Sequence, residues 1–382
     1  MKIYFTIIVI ILMPVLLWSS VGKSGEKPSV SEMLNEQSKD ESFMKKVAEA
    51  DKDIYTYLKE GVEHFVKNDL TKAIESLSKK IENRARADYL YFARSYYFTM
   101  KGYYKKARED INKAIEINKN NENYYVLRGI IICLQDDRVS EEAEDDFKKA
   151  IELNPKCLLA YTALADVYGD QNEYDKAIEC YNRILEIKPD NAYAYMERGF
   201  TYRWKEEYGK ALKDLDKSIE LDPNNYRAWF YRGRTHGLNG DKVKAMADYT
   251  KSIELNSDFP WVYNNRGVLY NNKKEYDKAL KDYNKALEVD PDGGCAILAY
   301  TNRGNVYREQ KKYEKAIEDY NKCITLDPKY KSAYLNRGNA YSDQKKYEKA
   351  IEDYNKCINL DPEYRNAYYA RGRSYNQKMC MK

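Results

Sequence analysis

One stretch of 15 residues occurs twice in this sequence, with the two copies 34 residues apart. It reads QKKYEKAIEDYNKCI, first at Gln310–Ile324 and again at Gln344–Ile358. Small and apolar residues recur every three or four positions, with opposite charges between them, as in an amphipathic helix with one solvated face. A period of 34 residues is the length of one helix–turn–helix unit, so the duplication predicts a stack of helix pairs.

The same period extends through most of the chain, marked by a small residue on each helix of a pair. On the first helix the glycines are Gly61, Gly129, Gly199, Gly233, Gly267, Gly304, Gly338 and Gly372, with Ser95 and Ala165 taking the place in two repeats. Twelve residues later come Ala73, Ala107, Ala177, Ala211, Ala245, Ala279, Ala316 and Ala350, with Ala143 displaced by an insertion. Because small residues let two helix axes approach, these positions predict where the helices of a pair cross.

Tyrosine and proline complete the pattern. Four residues after the alanine, the second helix carries tyrosines that we expect to face inward: Tyr181, Tyr249, Tyr283, Tyr320 and Tyr354. Asp-Pro pairs begin at Asp222, Asp290, Asp327 and Asp361. Proline disfavours helical geometry in the residue before it, so these pairs should end one helix. We also expect them to begin the next, with the aspartate as a cap.

These features together resemble the tetratricopeptide-repeat (TPR) family over residues 54–382. The resemblance implies an all-α, right-handed superhelical solenoid of about nine helix–turn–helix repeats followed by a C-terminal half repeat. It also implies a partner that is a protein or peptide. The predicted repeats begin near Ile54, Asp88, Glu122, Leu158, Ala192, Tyr226, Pro260, Ile297, Lys331 and Arg365.

The N-terminal residues differ from the repeats. Ile3–Trp18 is almost entirely apolar and follows a single lysine, Lys2. Residues 1–22 can therefore be a cleaved signal peptide or an uncleaved membrane anchor, and both alternatives remain open. Either one predicts that the repeats lie outside the cytoplasm and that any contact with a membrane is made by this segment alone. Residues 23–53 are polar and of mixed charge, which predicts a tether.

Composition argues against several classes of function. The 65 basic and 61 acidic side chains give a net charge of +4, too balanced for a typical nucleic-acid partner. The two histidines, His64 and His236, take a repeat position otherwise held by tyrosine, which favours packing. The seven cysteines have no metal-ligand spacing, and Cys323 and Cys357 recur where a small buried residue is needed. With no phosphate loop or nucleophile elbow, we expect neither an enzyme nor a cofactor or metal site.

The TPR resemblance also implies where a partner binds. In that family ligand contacts come mainly from positions 2, 5, 6, 9, 12 and 13 of the repeat, on the concave side lined by first helices. Across the fifth to seventh repeats these positions hold aromatic residues, arginines and a methionine, the first two being common anchors of binding hot spots. They are Tyr193, Met196, Phe200, Arg203, Trp204, Arg227, Phe230, Arg234 and Trp261. The alternative is that some of them stack between adjacent first helices.

Asparagines form a second candidate stripe. Asn265, Asn302 and Asn336 occupy position 6 of successive repeats, which resembles the asparagine ladder of O-GlcNAc transferase TPR domains. The resemblance implies that their amides hold the backbone of an extended peptide. Asn305 and Asn336 also match two positions of the carboxylate clamp of TPR co-chaperones. Other clamp positions differ, so we do not expect that clamp; these are Thr301, Asn366 and Ala370.

Two functions therefore follow from the sequence. The first is a non-catalytic scaffold that binds an extended peptide or protein segment in the groove. The alternative is a structural array that self-associates through its C-terminal end, where Tyr368 and Tyr375 lack a covering helix. The arginines that recur at position 7, such as Arg198 and Arg371, are expected to serve packing between repeats.

Overall fold

The computed structural model describes residues 70–81, 88–136 and 140–380. Residues 1–69, which include the predicted apolar segment, the tether and the start of the first repeat, lie outside this part. The described residues form 18 α-helices and no strand. The helices are α1 (Leu70–Ile81), α2 (Asp88–Met100), α3 (Tyr104–Ile117), α4 (Glu122–Asp136), α5 (Glu141–Leu153), α6 (Leu158–Asp170), α7 (Tyr174–Ile187), α8 (Ala192–Trp204), α9 (Tyr208–Leu221), α10 (Tyr226–Leu238), α11 (Lys242–Leu255), α12 (Pro260–Asn272), α13 (Tyr276–Val289), α14 (Ala296–Glu309), α15 (Tyr313–Leu326), α16 (Lys331–Asp343), α17 (Tyr347–Leu360) and α18 (Arg365–Met379).

The predicted repeat boundaries agree closely with the helix starts, so the expected all-α repeat solenoid is confirmed. Even-numbered helices are the first helices of their repeats, and each of α2 to α16 packs on the second helix that follows it. One start differs: α14 begins at Ala296 instead of Ile297. The inserted loop before it causes the difference, because the Ala296 N–H donates to the carbonyl of Gly293 at 3.0 Å and starts the helix one residue early.

The Asp-Pro pairs end helices as predicted, but the expectation that their aspartates cap the next helix is wrong. Asp327 and Asp361 are the residues that follow α15 and α17 directly. The Asp327 carboxylate accepts the backbone N–H of Lys329 at 2.8 Å, inside the turn. The next helix starts at Lys331, four residues after that aspartate, and its N-cap Tyr330 makes no side-chain capping hydrogen bond. The aspartate therefore stabilises the turn and not the helix N-terminus.

The array divides into two compact units, one ending at Leu221 and the other beginning at Asp222. The core of the first unit is aliphatic and aromatic, and it includes the fully buried Leu127, Ile131 and Phe147. The largest core cluster of the second unit centres on Phe230 and Phe259. Cys323 and Cys357 are buried and free, which confirms them as packing residues. Burial raises the pKa of each of these two thiols to about 11.

The close approach predicted at the glycines is confirmed in the second unit by the facing tyrosines. A Cβ atom on Gly267, Gly304 or Gly338 would lie 2.7 Å from a ring carbon of the tyrosine on the second helix. The tyrosines concerned are buried and fill the space that the missing side chain leaves; they are Tyr283, Tyr320 and Tyr354. Glycine is therefore required here for close helix packing and not for backbone conformation.

We predict that Gly338→Ala destabilises the second unit by about 1–3 kcal/mol, because the new methyl group would overlap the Tyr354 ring. The matched control is Gly372→Ala on α18, where a Cβ would meet no described atom within 4 Å. That control should be neutral or stabilising by up to about 1 kcal/mol, since alanine is the better helix former. Urea unfolding of both variants tests this, and equal midpoints for the two would contradict it.

A second recurring contact joins the two helices of a repeat through charge in seven repeats. The position-7 arginine donates Nε and Nη2 to both carboxylate oxygens of an aspartate on the second helix, at 2.6–2.9 Å. The pairs are Arg94–Asp110, Arg128–Asp146, Arg198–Asp214, Arg232–Asp248, Arg266–Asp282, Arg303–Asp319 and Arg337–Asp353. In several repeats Nη1 also reaches the preceding repeat, as from Arg337 to Asn321 at 2.6 Å. The predicted packing between repeats is thus only part of the role of these arginines.

These ion pairs set the register of the helices at a cost in desolvation. The hydrogen bond to Asp353 raises the pKa of Arg337, whereas burial raises the pKa of the Asp353 carboxyl despite its partner. The fourth repeat has no such pair: Leu164 and Cys180 occupy the two positions and are both buried. An apolar pair of similar placement therefore replaces the ion pair within the same fold.

We predict that Arg303→Leu alone weakens the eighth repeat by about 3 kcal/mol, because it leaves the Asp319 carboxylate buried without its bidentate partner. The double variant Arg303→Leu with Asp319→Cys copies the fourth repeat and should recover most of that loss. Amide hydrogen exchange in α14 and α15 measures the local opening free energy. Equal protection in the single and double variants would rule out this account.

Candidate protein-binding face

First helices of neighbouring repeats lie side by side in each unit. In the first unit α2 contacts α4 and α4 contacts α6. In the second unit α12, α14, α16 and α18 contact one another in that order. The residues at repeat positions 2, 5, 6, 9, 12 and 13 belong to these helices, and we call the surface that they form in each unit the first-helix face of that unit.

In the first unit, α8 carries an aromatic stack at its C-terminal end. The Arg203 guanidinium lies 4.6 Å from the Phe200 ring centroid and 4.4 Å from that of Trp204. The two rings are themselves perpendicular, at 6.1 Å. Arg203 is 4% exposed, whereas Trp204 is 50% exposed. The stack thus fixes an exposed indole on a buried cation; we call Phe200, Arg203 and Trp204 the Trp204 patch.

Two residues expected in the groove belong to the core. Met196 is 1% exposed and Phe230 is 3% exposed. The Phe230 ring packs perpendicular to Phe259 at 4.8 Å and also contacts Tyr249 at 6.0 Å. Position 5 of the repeat points toward neighbouring helices in both cases, so a large apolar side chain there is covered. The expectation that these two side chains are available to a ligand is therefore corrected.

The remaining predicted groove residues are half-buried. Tyr193 lies on α8 of the first unit. In the second unit the Arg227 Nε donates to the Tyr226 hydroxyl at 3.3 Å, and the Arg234 guanidinium lies 5.7 Å from the Phe230 ring. Trp261 lies at the start of α12. The predicted set is thus divided between the two units, with its exposed anchor at Trp204.

Most asparagines of the predicted stripe use their side chains inside the protein. The Asn265 amide donates to the carbonyl of Trp261 at 2.8 Å, within its own helix. The Asn302 amide donates to Asn264 at 2.9 Å and so links α14 to α12. Asn336 makes no side-chain hydrogen bond with any described residue. Asn265 and Asn302 thus form side-chain hydrogen bonds within the protein, whereas the side-chain amide of Asn336 forms none with a described residue.

Asn305 forms a structural hydrogen bond that the sequence did not predict. Its carbonyl oxygen accepts the hydroxyl of the buried Tyr320 at 2.8 Å, and Asn339 does the same for Tyr354 at 2.9 Å. In the seventh repeat the corresponding residue is Val268, and the buried hydroxyl of Tyr283 has no partner in the described structure. In these three repeats, position 9 is asparagine where its side chain accepts the tyrosine hydroxyl and valine where that hydroxyl has no partner among the described residues.

We predict that Asn305→Val lowers the free energy of unfolding by about 1–3 kcal/mol, because it leaves the Tyr320 hydroxyl buried without an acceptor. Adding Tyr320→Phe removes the unpaired group and should restore much of the loss. Denaturant unfolding of the wild type, both single variants and the double variant gives the coupling energy. Strict additivity of the two substitutions would show that the hydrogen bond contributes nothing.

Family models match along most of the repeat region. A tetratricopeptide-repeat model matches residues 192–225, 260–292, 297–330 and 332–364, and a second one matches 215–247. The N-terminal ARM-repeat model of tetratricopeptide repeat protein 21 matches residues 66–201. Together these matches cover more than half of the chain. The chain is a TPR protein. TPR proteins bind other proteins, and in that general sense this chain is a protein-interaction scaffold. None of the matching family models is that of an enzyme family.

Solved structures show the same fold at low sequence identity. The APC/C hetero-tetramer Cut9–Hcn1 is 17% identical with a TM-score of 0.55, and the match covers 81% of this chain and 59% of that one. Yeast Tom70 is 17% identical with a TM-score of 0.52, covering 89% of this chain and 92% of that one. This TPR chain thus spans well under two thirds of the Cut9–Hcn1 chain. No curated protein sequence matches it.

Among the described helices of this TPR protein, none is both long and apolar enough to cross a membrane. The predicted anchor or signal at residues 1–22 falls outside that range and stays a prediction.

His236 is mostly buried and lies 4.0 Å from Asp248, and burial lowers the pKa of its imidazole. This placement fits the predicted packing role.

The TPR array also contains a cavity that sequence reasoning missed. It has a volume of about 320 Å³ and lies among α14, α16 and α18 of the second unit. Its polar lining includes Arg308, Asn339, Asp343 and Arg373, at positions 12, 9, 13 and 9 of the last three repeats. These are positions of the TPR groove, but the predicted aromatic and arginine anchors were confined to the fifth to seventh repeats.

Proposed function

We propose that this TPR protein holds an extended peptide or protein segment against its first-helix face, with Trp204 as the main anchor. The observation that carries the proposal is the Trp204 patch, in which a half-exposed indole lies on a buried arginine. Tryptophan and arginine are the residues most enriched in binding hot spots, and a side chain already held in place loses little conformational entropy when it binds.

The second unit supports the same function with polar groups. Asn336 has an amide that no described residue uses, and it lies half-buried on α16. An asparagine amide both donates and accepts, which matches a peptide group. Asn265 and Asn302 have donors committed inside the protein, so we assign them to positioning within this face. Backbone contacts of this kind would fit many sequences, which suits a scaffold.

We predict that Trp204→Ala weakens peptide binding by at least about tenfold, because hot-spot truncations commonly cost 2 kcal/mol or more. Peptides selected from a random dodecapeptide display library on the wild-type chain would be titrated against the variant by fluorescence anisotropy. The matched control is Tyr103→Ala, an aromatic residue of the same unit with 52% exposure, located in a turn outside the first-helix face.

Circular dichroism should show equal helix content in the wild type and both variants. An unchanged peptide affinity of the Trp204→Ala variant would show that Trp204 does not anchor the peptide. A library that yields no peptide for the wild-type chain would count against extended peptides as the ligand.

Self-association through α18 is the second candidate function. Its Tyr368, Tyr369 and Tyr375 are 42%, 75% and 47% exposed, and with Met379 they are four of the nine large hydrophobic side chains that are exposed among the described residues. A molar mass that rises with concentration in the wild type, but not in a Tyr368→Ser/Tyr375→Ser variant, would favour this candidate. A monomer at all concentrations would remove it.

We also propose that residues 1–22 export or anchor the chain, on the basis of their apolar composition alone. N-terminal sequencing of the mature protein distinguishes a cleaved signal from a retained anchor. Recovery of an intact N-terminus in the soluble cytoplasmic fraction would contradict both.

A further inference from the structure

The cavity among α14, α16 and α18 contains cationic side chains that the protein does not fully use. The Arg308 Nε lies 3.7 Å from the Asp343 carboxylate, an ion-pair distance but too long for a hydrogen bond. Arg308 makes no side-chain hydrogen bond with the described residues. By contrast, Arg337 on α16 makes two bonds of 2.6–2.8 Å to Asp353. The fixed fork of Arg308 thus keeps donors available to a ligand.

Two more donors point to an anionic ligand. Arg373 on α18 is exposed and forms no ion pair with a described residue. The Asn339 carbonyl oxygen is occupied by the Tyr354 hydroxyl at 2.9 Å, which leaves its amide N–H groups as donors at the cavity. The cavity therefore offers two guanidinium groups and an amide, opposed by one carboxylate from Asp343.

Charge and size select the ligand. Two cations and one anion leave an excess of a single positive charge, which a carboxylate would neutralise and a doubly charged phosphate would exceed. A planar guanidinium fork matches the two oxygens of a carboxylate. The volume of about 320 Å³ is at the low end of small-ligand sites and suits one side chain or a chain terminus.

We propose that this cavity binds a carboxylate of the peptide ligand through Arg308 and Arg373, with Asp343 as an internal competitor for Arg308. The inference rests on the proposed function, since it assigns a subsite to the first-helix face of the second unit. The carboxylate belongs either to an acidic side chain or to the peptide C-terminus. Asn366 and Ala370, at two positions of the co-chaperone clamp, also line this cavity but carry no charge, so the cations proposed here come from other repeat positions.

The test uses the full chain and four synthetic N-acetylated dodecapeptide libraries, random in sequence. Two libraries have Asp and Glu among the residues and two have Asn and Gln in their place; within each kind, one has a free C-terminus and one an amide. The wild-type chain should retain the carboxylate-bearing libraries about tenfold more than the library without carboxylates, the size expected for a charge-assisted pair. If the preference follows Asp and Glu, the carboxylate belongs to a side chain; if it follows the free C-terminus, it belongs to the chain end.

Three variants test the assignment. Arg308→Gln and Arg373→Gln should each remove most of the preference, whereas Asp343→Asn should increase it severalfold by releasing Arg308 from its competitor. The matched control is Arg183→Gln on α7, an exposed arginine outside the cavity, which should leave the preference unchanged. A merely structural role for Arg308 would not produce the gain in Asp343→Asn.

The outcomes separate the two proposals. Equal retention of all four libraries by the wild-type chain overturns the carboxylate subsite and leaves peptide binding in place. A preference that survives both arginine variants also overturns the subsite. Retention of none of the libraries would contradict peptide binding itself. Competition by inorganic phosphate but not by acetate would replace the carboxylate with a phosphate ligand and overturn the inference as stated.

Discussion

The close approach of two helices at each repeat governs the rest of this structure. In the second unit the glycine on the first helix leaves space for the ring of a tyrosine on the second, as at Gly304 and Tyr320. That ring is buried completely, so its hydroxyl needs an acceptor inside the protein. Asn305 supplies it from the first helix. A packing constraint at one glycine thus determines which polar groups of the neighbouring face remain available.

The arginines of the array follow a similar division of roles. At position 7 the guanidinium is held by both oxygens of an aspartate on the partner helix, as in Arg303–Asp319. Burial makes such a pair costly, and the fourth repeat has the buried Leu164 and Cys180 instead, so the fold forms without the ion pair at that position. Arg308 lies one and a half turns further along the same helix and has only a distant carboxylate. The same residue type is structural at one position and available for binding at the other.

Sequence reasoning succeeded where the signal was periodic and failed where orientation mattered. The starts of the described first helices were predicted to within one residue, because glycine, alanine and tyrosine recur at fixed spacing. Met196 and Phe230 were expected in the groove because position 5 contacts ligands in related proteins. Here that position is covered by neighbouring helices. The Arg–Asp pairs could have been found from the sequence, since each aspartate usually follows its arginine by 16 residues and both are replaced together in the fourth repeat.

The sequence by itself determined the fold class, the starts of the described first helices and the positions where helices cross. These follow from local periodicity and residue size, which recur in most repeats. The tertiary structure alone decided which polar side chains are already occupied. Asn265, Asn302 and Asn305 each use a side-chain donor or acceptor in a hydrogen bond within the protein. Asn336 and Arg308 form no side-chain hydrogen bond with a described residue. The physical reason is that hydrogen-bond partners come from other helices or adjacent turns, and their distances are set by packing rather than by the identity of the residue.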